Sequence, residues 1–254
     1  MSTADSCFHQ NLCIILVRTR NPLNIGAVAR AMANFGGSQL RLVAPYDPAF
    51  REARSAVGAS ELLANAEVCQ SVAEAVADCT LVIGTTAATN RSVSLPLIPL
   101  PNAAPRIADA AHAGKVALLF GSEKRGLANQ DMSYCHWLMR IPTTLQSSSM
   151  NLAQSVVVVL YELARTWNEF AETAKPEDLA GGNPSAKMQS LLRLTEVMHE
   201  TLEYSGYYSE AAAATAEEQL RQLLLRMKPT EADTEIILGM FRQILWKLRA
   251  KSSP

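Results

Sequence analysis

Residues 12–36 read LCIILVRTRNPLNIGAVARAMANFG, and the change of period inside this stretch decides the fold class. Residues 12–18 are an unbroken apolar run closed by Arg18, as expected of a strand covered on both faces. From Ile25 the apolar residues recur three and four apart. Ile25, Val28, Ala29, Met32 and Phe35 make one stripe of a helix over 25–35, and Asn24 is placed to cap it. A strand feeding a helix is the unit of an α/β domain. A dinucleotide-binding protein would carry G-x-G-x-x-G in the intervening turn, where glycines let a pyrophosphate approach the helix. Only Gly26 is present, which argues against a nicotinamide-dependent dehydrogenase. At about 100° per residue Arg30 lies opposite the centre of the stripe. It is either a solvated arginine or a guanidinium offered to a phosphate or to a second subunit.

The alternation continues outward from this unit. Strands are expected near 39–43, 80–84, 115–120 and 136–141, with helices near 49–56, 71–78, 105–113 and 150–167. Together they predict an α/β domain with a mostly parallel sheet over residues 1–172. Residues 173–185, TAKPEDLAGGNPS, are rich in Pro, Gly and charge and read as a linker. Beyond it, helical periods near 186–204, 211–227 and 231–250 predict a small α-helical extension, 186–254.

Composition narrows the function classes. The 254 residues are 48% hydrophobic and 19% charged, and no apolar run approaches the roughly 18 residues needed to cross a bilayer. The early segment NLCIILV lacks a basic flank and a small-residue cleavage site, so a cytoplasmic protein without a signal peptide is expected. The five cysteines form no C-x-x-C pair and the four histidines are dispersed, which predicts reduced core thiols and no metal site. The net charge of −1 exerts no global pull on nucleic acid, so RNA contacts would come from local clusters: Arg18/Arg20/Arg30, Arg51/Arg54 and Lys124/Arg125. The basic residues near the end, Arg242, Lys247, Arg249 and Lys251, either touch RNA phosphates or form a solvated helix tail balanced by Glu231, Asp233 and Glu235.

Two further segments carry chemistry. In LLFGSEKRGL, Gly121 and Gly126 bracket a charged tetrapeptide directly after a buried strand, where α/β proteins place ligand loops. In IPTTLQSSSMNLAQSVVVVLYELARTW, residues 141–167, three serines and an asparagine crowd the start of an apolar helix. One serine suffices as its cap, and the rest are either turn residues or a polar ligand rim beside free helix amides. Val156 to Leu160 cover every side of that helix, so a face left open by its own domain has to be buried elsewhere, for instance by a second subunit.

Taken together, NPLNIGAVARAM, FGSEKRGL and IPTTLQSSSMNLAQSV, in this order and spacing, resemble the three motifs of the SpoU-type branch of the SPOUT methyltransferases. The likeness covers about residues 10–167, and the helical extension is similar to that of its TrmJ-type tRNA methyltransferase subgroup. The resemblance implies a SPOUT fold of five or six parallel strands with a C-terminal deep trefoil knot, a homodimer, S-adenosyl-L-methionine as cofactor and tRNA as substrate, with methyl transfer to a ribose 2′-hydroxyl at cytidine or uridine 32 of the anticodon loop. It implies neither metal nor membrane. Carried over by position, Thr85, Thr86, Ala87, Gly121, Ile141, Ser148, Ser149 and Met150 would bind the cofactor, and Asn24, Arg30, Glu123, Ser149 and Asn151 would form the catalytic set. A guanidinium is a poor proton acceptor, so Arg30 is expected to clamp a phosphate and steady the forming alkoxide. The same motifs would also serve ribosomal RNA or another tRNA position, and a non-catalytic RNA-binding homodimer of this fold is the reading from a different class.

Overall fold

Seven strands make one sheet in the computed structural model, which describes residues 10–45, 60–87, 95–173, 185–208 and 210–251. They are β1 (Leu12–Val17), β2 (Gln39–Val43), β3 (Glu67–Cys69), β4 (Leu81–Thr85), β5 (Leu97–Pro99), β6 (Val116–Phe120) and β7 (Trp137–Arg140). The order is β3-β2-β1-β6-β4-β7-β5, and every pairing is parallel. The five or six strands expected become seven because β3 and β5, three residues each, are too short to show a period. β5 also contains Pro99, which a strand at the edge of the sheet tolerates. The register sets Phe120 beside Leu16, Leu119 beside Gly84 and Thr85 beside Met139, so the segments leaving β4, β6 and β7 emerge on one rim.

Among the described residues the sheet is accompanied by α1 (Pro22–Asn34), α2 (Ser60–Ala64), α3 (Val72–Ala75), α4 (Leu100–Ala113), α5 (Asn129–Met132) and α6 (Leu152–Thr173). Leu12, Ile14 and Leu16 of β1 point into the main core with Ile25, Val28 and Met32 of α1, Ile107 of α4 and Val156 and Leu163 of α6. The alternate residues Cys13, Ile15 and Val17 are equally buried, so both faces of β1 are covered, as its unbroken apolar run requires. The helix expected over 105–113 starts at Leu100 instead. Pro105 sits inside it, and its missing N–H looks like a helix start when only sequence is read. The helix expected over 71–78 is one turn, capped by Ser71. The helix expected over 49–56 and the cluster Arg51/Arg54 lie outside the described residues, as do Cys7 and most of the linker 173–185. The other four cysteines are buried free thiols, and burial pushes that of Cys13 up to about 12.

A buried cation braces the rim opposite the site. Arg41 of β2, 8% exposed, donates through Nε to Glu67 (2.7 Å) and through Nη1 and Nη2 to Asp78 (2.6 and 3.0 Å), and Lys115 Nζ reaches Asp78 at 2.6 Å. The bonds from Arg41 foremost, against the cost of burial and helped by Lys115, hold the Asp78 carboxyl well below the ordinary carboxylate range. A depressed folded pKa stabilises the native state fully above the ordinary aspartate value near 3.8 and ceases to as pH falls toward the folded value. Asp78→Asn is therefore expected to lower the melting temperature at pH 7 and to flatten its decline below pH 4. Thermal melts across pH 2–7 that ran parallel for both proteins would contradict this role for Asp78.

The chain divides into two compact units, Met1–Gly181 and Gly182–Pro254. In the second, α7 (Met188–Tyr204) packs against both α8 (Glu210–Met227) and α9 (Glu231–Lys251), with Leu194, Leu224 and Leu238 at its core. Thr230 and Asp233 exchange hydrogen bonds at the start of α9, where the Thr230 N–H donates to Oδ2 and the Asp233 N–H to Oγ1, a reciprocal cap. Among the described residues no helix is long and apolar enough to cross a membrane.

Candidate active site

The site is assembled where the chain leaves β1, β4, β6 and β7. After β1, Arg18 takes a left-handed backbone (φ 53°), and its guanidinium forms a two-pronged ion pair with the buried carboxylate of Asp131. Asp131 also accepts from the Ala128 N–H at 2.7 Å, so the end of β1 is tied to the segment that follows β6. The two partners are 113 residues apart, and no local pattern announces the pair.

Asn24 was expected to cap α1. Asn21 does so instead: its Oδ1 accepts from the Leu23 N–H at 3.0 Å, and Pro22 opens the helix, where a missing N–H costs nothing. This frees the Asn24 side chain, whose Nδ2 donates to Glu123 Oε1 at 2.7 Å. Glu123 also accepts from the backbone N–H groups of Arg20 (3.2 Å) and Asn21 (3.4 Å), so a carboxylate from the β6 loop closes the start of α1. Burial raises the Glu123 pKa, yet the bonds from Asn24 and the backbone outweigh it and hold the group below its ordinary value. The carboxylate is thus ionised at neutral pH.

The cap of α6 is also not a serine. Asn151 Oδ1 accepts from the N–H groups of Ala153 (2.9 Å) and Gln154 (3.4 Å), while its Nδ2 donates to Asn24 Oδ1 at 3.3 Å. One side chain caps a helix and joins the polar chain Glu123–Asn24–Asn151. Asparagine suits this double task because its acceptor and its donor are separate atoms, so Oδ1 faces the helix while Nδ2 reaches Asn24. Relieved of capping, Ser148 and Ser149 stand exposed before α6, and the Ser148 carbonyl accepts from Thr143 Oγ1 at 3.3 Å.

Between these segments lies a cavity of about 380 Å³, within the size range of small-molecule sites. Thr85, Thr86 and Ala87 bound it after β4, Gly121 and Glu123 after β6, and Ile141, Ser148, Ser149 and Met150 after β7. All eight residues expected to hold the cofactor line it. Sequence reasoning missed Phe120, Met139 and Leu152, which add an apolar wall, whereas Lys124 and Arg125, expected as a candidate RNA contact, are exposed on its rim. For Phe120 and Met139 a signal existed: each lies within two residues of an expected site position at the end of an expected strand.

The loop after β6 is pinched. Ser122 and Gly126 form an isolated antiparallel bridge, closed by the Gly126 N–H on the Ser122 carbonyl at 2.8 Å, and Gly126 has φ 66°. A Cβ at Gly121 would lie 2.0 Å from the Gly126 carbonyl carbon and 2.1 Å from the Leu127 nitrogen. Only glycine fits between the wall of the cavity and the closing backbone.

Of the five expected catalytic residues, Glu123 and Ser149 line this cavity, and Asn24 and Asn151 connect to it through the polar chain. Arg30 does not border it. Arg30 is exposed on α1 and, among the described residues, has no ion-pair partner. It lines a separate, largely apolar hollow with Ala27, Ala31, Ala153, Val157 and Val158. The two concavities meet at Met150, which borders both.

The chain's relatives can be set beside this geometry. A family model described as the SpoU rRNA Methylase family matches residues 11–161. The chain is 35% identical over 239 residues to a tRNA (cytidine/uridine-2′-O-)-methyltransferase TrmJ from Klebsiella pneumoniae, covering 92% of this chain and 96% of the relative. The TrmJ of Sodalis glossinidius is 35% identical over 238 residues, covering 92% and 91%. Among solved structures, TrmJ from Z. mobilis matches with a TM-score of 0.78 at 33% identity, over 91% of this chain and 98% of that one. A methylase family protein from Haemophilus influenzae matches with a TM-score of 0.59 at 30% identity, over 95% and 99%.

Proposed function

Since the chain belongs to the SpoU rRNA Methylase family, we propose that it is an S-adenosyl-L-methionine-dependent tRNA ribose 2′-O-methyltransferase, acting in the cytoplasm on cytidine or uridine 32 of the anticodon loop. The observation that carries this reading is the convergence of three distant segments, after β4, β6 and β7, on one cavity whose loop excludes any side chain at residue 121. An apolar lining of Phe120, Met139, Ile141 and Leu152, together with the hydroxyls of Thr86, Ser148 and Ser149, suits an adenosyl group attached to a sulfonium. In the same reading the C-terminal part of the sheet domain is threaded into a deep trefoil knot, and Ser148, Ser149 and Met150 open the knotted helix.

The cofactor, when bound, supplies a methyl group on a sulfonium, already a good leaving group. The protein has to hold a ribose 2′-oxygen in line with that methyl, a contribution of about 7–11 kcal/mol when the geometry is fixed. Ser149 and the Glu123–Asn24–Asn151 chain orient the hydroxyl from the cavity side. Arg30 approaches from the other side of Met150, clamps the neighbouring phosphate and steadies the developing alkoxide, an effect of about 2.7–4 kcal/mol. Lys124 and Arg125 on the rim add phosphate contacts of the salt-sensitive kind.

The apolar hollow beside Arg30, extended by the exposed Leu23, Val157 and Tyr161, is the face proposed for a homodimer. Val157→Glu would bury a carboxylate there, and we expect the dimer dissociation constant to rise by about a hundredfold or more. Sedimentation velocity reads this directly, and a wild-type protein that is monomeric at micromolar concentration removes the dimer.

The function itself is tested by incubating the purified protein with methyl-labelled cofactor and unmodified tRNA, then mapping 2′-O-methylation by nucleotide. Label at position 32 is the expected result. Label confined to ribosomal RNA or to another tRNA position identifies a different substrate of the same chemistry, and cofactor binding without transfer to any RNA identifies a binding protein.

A further inference from the structure

Helix α9 has two unlike sides. Thr234, Leu238 and Leu245 are buried, and Leu238 meets Leu194 and Leu224 in the core of the second unit. On the far side Ile236, Met240 and Ile244, each four residues from the next, are 59%, 59% and 47% exposed. At about 100° per residue these three span roughly 80° of the helix, and exposed Asp233 and Lys247 fall within the same arc at its two ends. The charges of α9 are also segregated: Glu231, Asp233 and Glu235 lie in its first turns, and Arg242, Lys247, Arg249 and Lys251 in its later ones.

We propose that α9 pairs antiparallel with α9 of a second copy of this chain, with the two-fold axis at Met240. Positions equally far from Met240 then oppose one another, as an isologous contact requires. Ile236 packs on Ile244 of the partner subunit, Met240 on Met240 of the partner subunit, and Asp233 faces Lys247 of the partner subunit. One register satisfies the apolar stripe and the charges together. A parallel pair would set Asp233 against Asp233 of the partner subunit, and a slip of one turn would set Ile236 against Leu248 of the partner subunit or Ile244 against Ala232 of the partner subunit, positions outside this arc. Polyanionic RNA is a poor occupant of this stripe, because Asp233 stands in it as squarely as Lys247. Three apolar residues per helix make a weak contact alone. Its strength, though not its register, rests on the homodimer proposed above, which would raise the effective concentration of one α9 near the other.

The test uses the full chain with Cys7→Ser, the other native thiols being buried. Met240→Cys is treated with a short bismaleimide and compared with Gln219→Cys, an exposed position on α8. Covalent dimer is expected from Cys at 240 at least about tenfold above that from Cys at 219, the advantage of a local over a diffusional encounter. Adding Lys247→Glu or Ile244→Asp, both surface changes, should reduce that yield severalfold while helical content by circular dichroism stays constant. Equal yields at 240 and 219 in a protein that sediments as a dimer overturn the α9 pairing alone. Equal yields in a protein that sediments as a monomer overturn the homodimer as well. A yield at 240 unaffected by both added substitutions marks random collision and also overturns the pairing.

Discussion

Gly121→Ala is expected to weaken S-adenosyl-L-methionine binding by more than about a hundredfold, equivalent to about 2.7 kcal/mol. The added Cβ would lie 2.0 Å from the Gly126 carbonyl carbon, far inside any contact distance, and the obstacle is backbone with no side-chain rotamer to change. The loop must therefore open its Ser122–Gly126 bridge and shift toward or away from the cavity it lines. Overpacking of this kind also costs stability, about 1–3 kcal/mol. Gly239→Ala is the matched control: a Cβ there meets nothing within 4 Å, so the same chemical change inside a helix should stabilise by about 0.5–1 kcal/mol. Calorimetric titration with the cofactor measures the first effect and thermal melts the second. An unchanged dissociation constant for Gly121→Ala would remove this loop from the cofactor site.

Asn151→Asp separates two roles held by one side chain. Aspartate caps a helix as well as asparagine does and favours the positive end of the dipole, so stability should stay within about 0.5 kcal/mol of the parent. It has no N–H to give to Asn24 Oδ1, and the oxygen that would replace the donor repels that acceptor. Methyl transfer in a single turnover is expected to fall by about 10²–10³, the loss typical of one misplaced polar group at a reacting centre. Cofactor affinity should change little, because Asn151 does not line the cavity. Asn151→Ala removes the cap as well, and about 1 kcal/mol of stability should go with it. If Asn151→Asp retained the parental rate, the polar chain would have no part in catalysis.

Much of the first unit can be read directly from the chain, because long apolar runs and three-to-four periods are local signals. β1, β2, β4, β6, β7 and α1 fall within three residues of their expected places, and α6 starts within two of its own but runs six residues past the expected end at 167. What escaped was short or non-local. β3 and β5 each span fewer residues than a period needs, and Pro105 disguised the first turn of α4. The capping roles of Asn21 and Asn151 were misassigned to Asn24 and a serine, since several cap-competent residues stood within reach and only tertiary partners choose among them. Glu123, about 100 residues away, claims the Asn24 side chain, and that contact leaves Asn21 as the cap. The ion pair of Arg18 with Asp131 was equally beyond any local reading.

The polar chain from Glu123 has a direction, and its ionised end sets it. A carboxylate only accepts, so Asn24 must turn its amino group to Glu123 and its carbonyl outward. That orientation obliges Asn151 to offer its own amino group, which in turn leaves its carbonyl for the amides of α6. Two amides that could each be flipped in isolation are thereby placed in a single arrangement, fixed at one end by a negative charge and at the other by the free amides of α6. Replacing Glu123 with glutamine keeps every atom's shape and removes the charge from one end, while the α6 amides still hold Asn151. Asn24, between them, keeps one neighbour that donates to it and gains one that can donate as well as accept. The row thus works as a latch closed from both ends, of which glutamine loosens one.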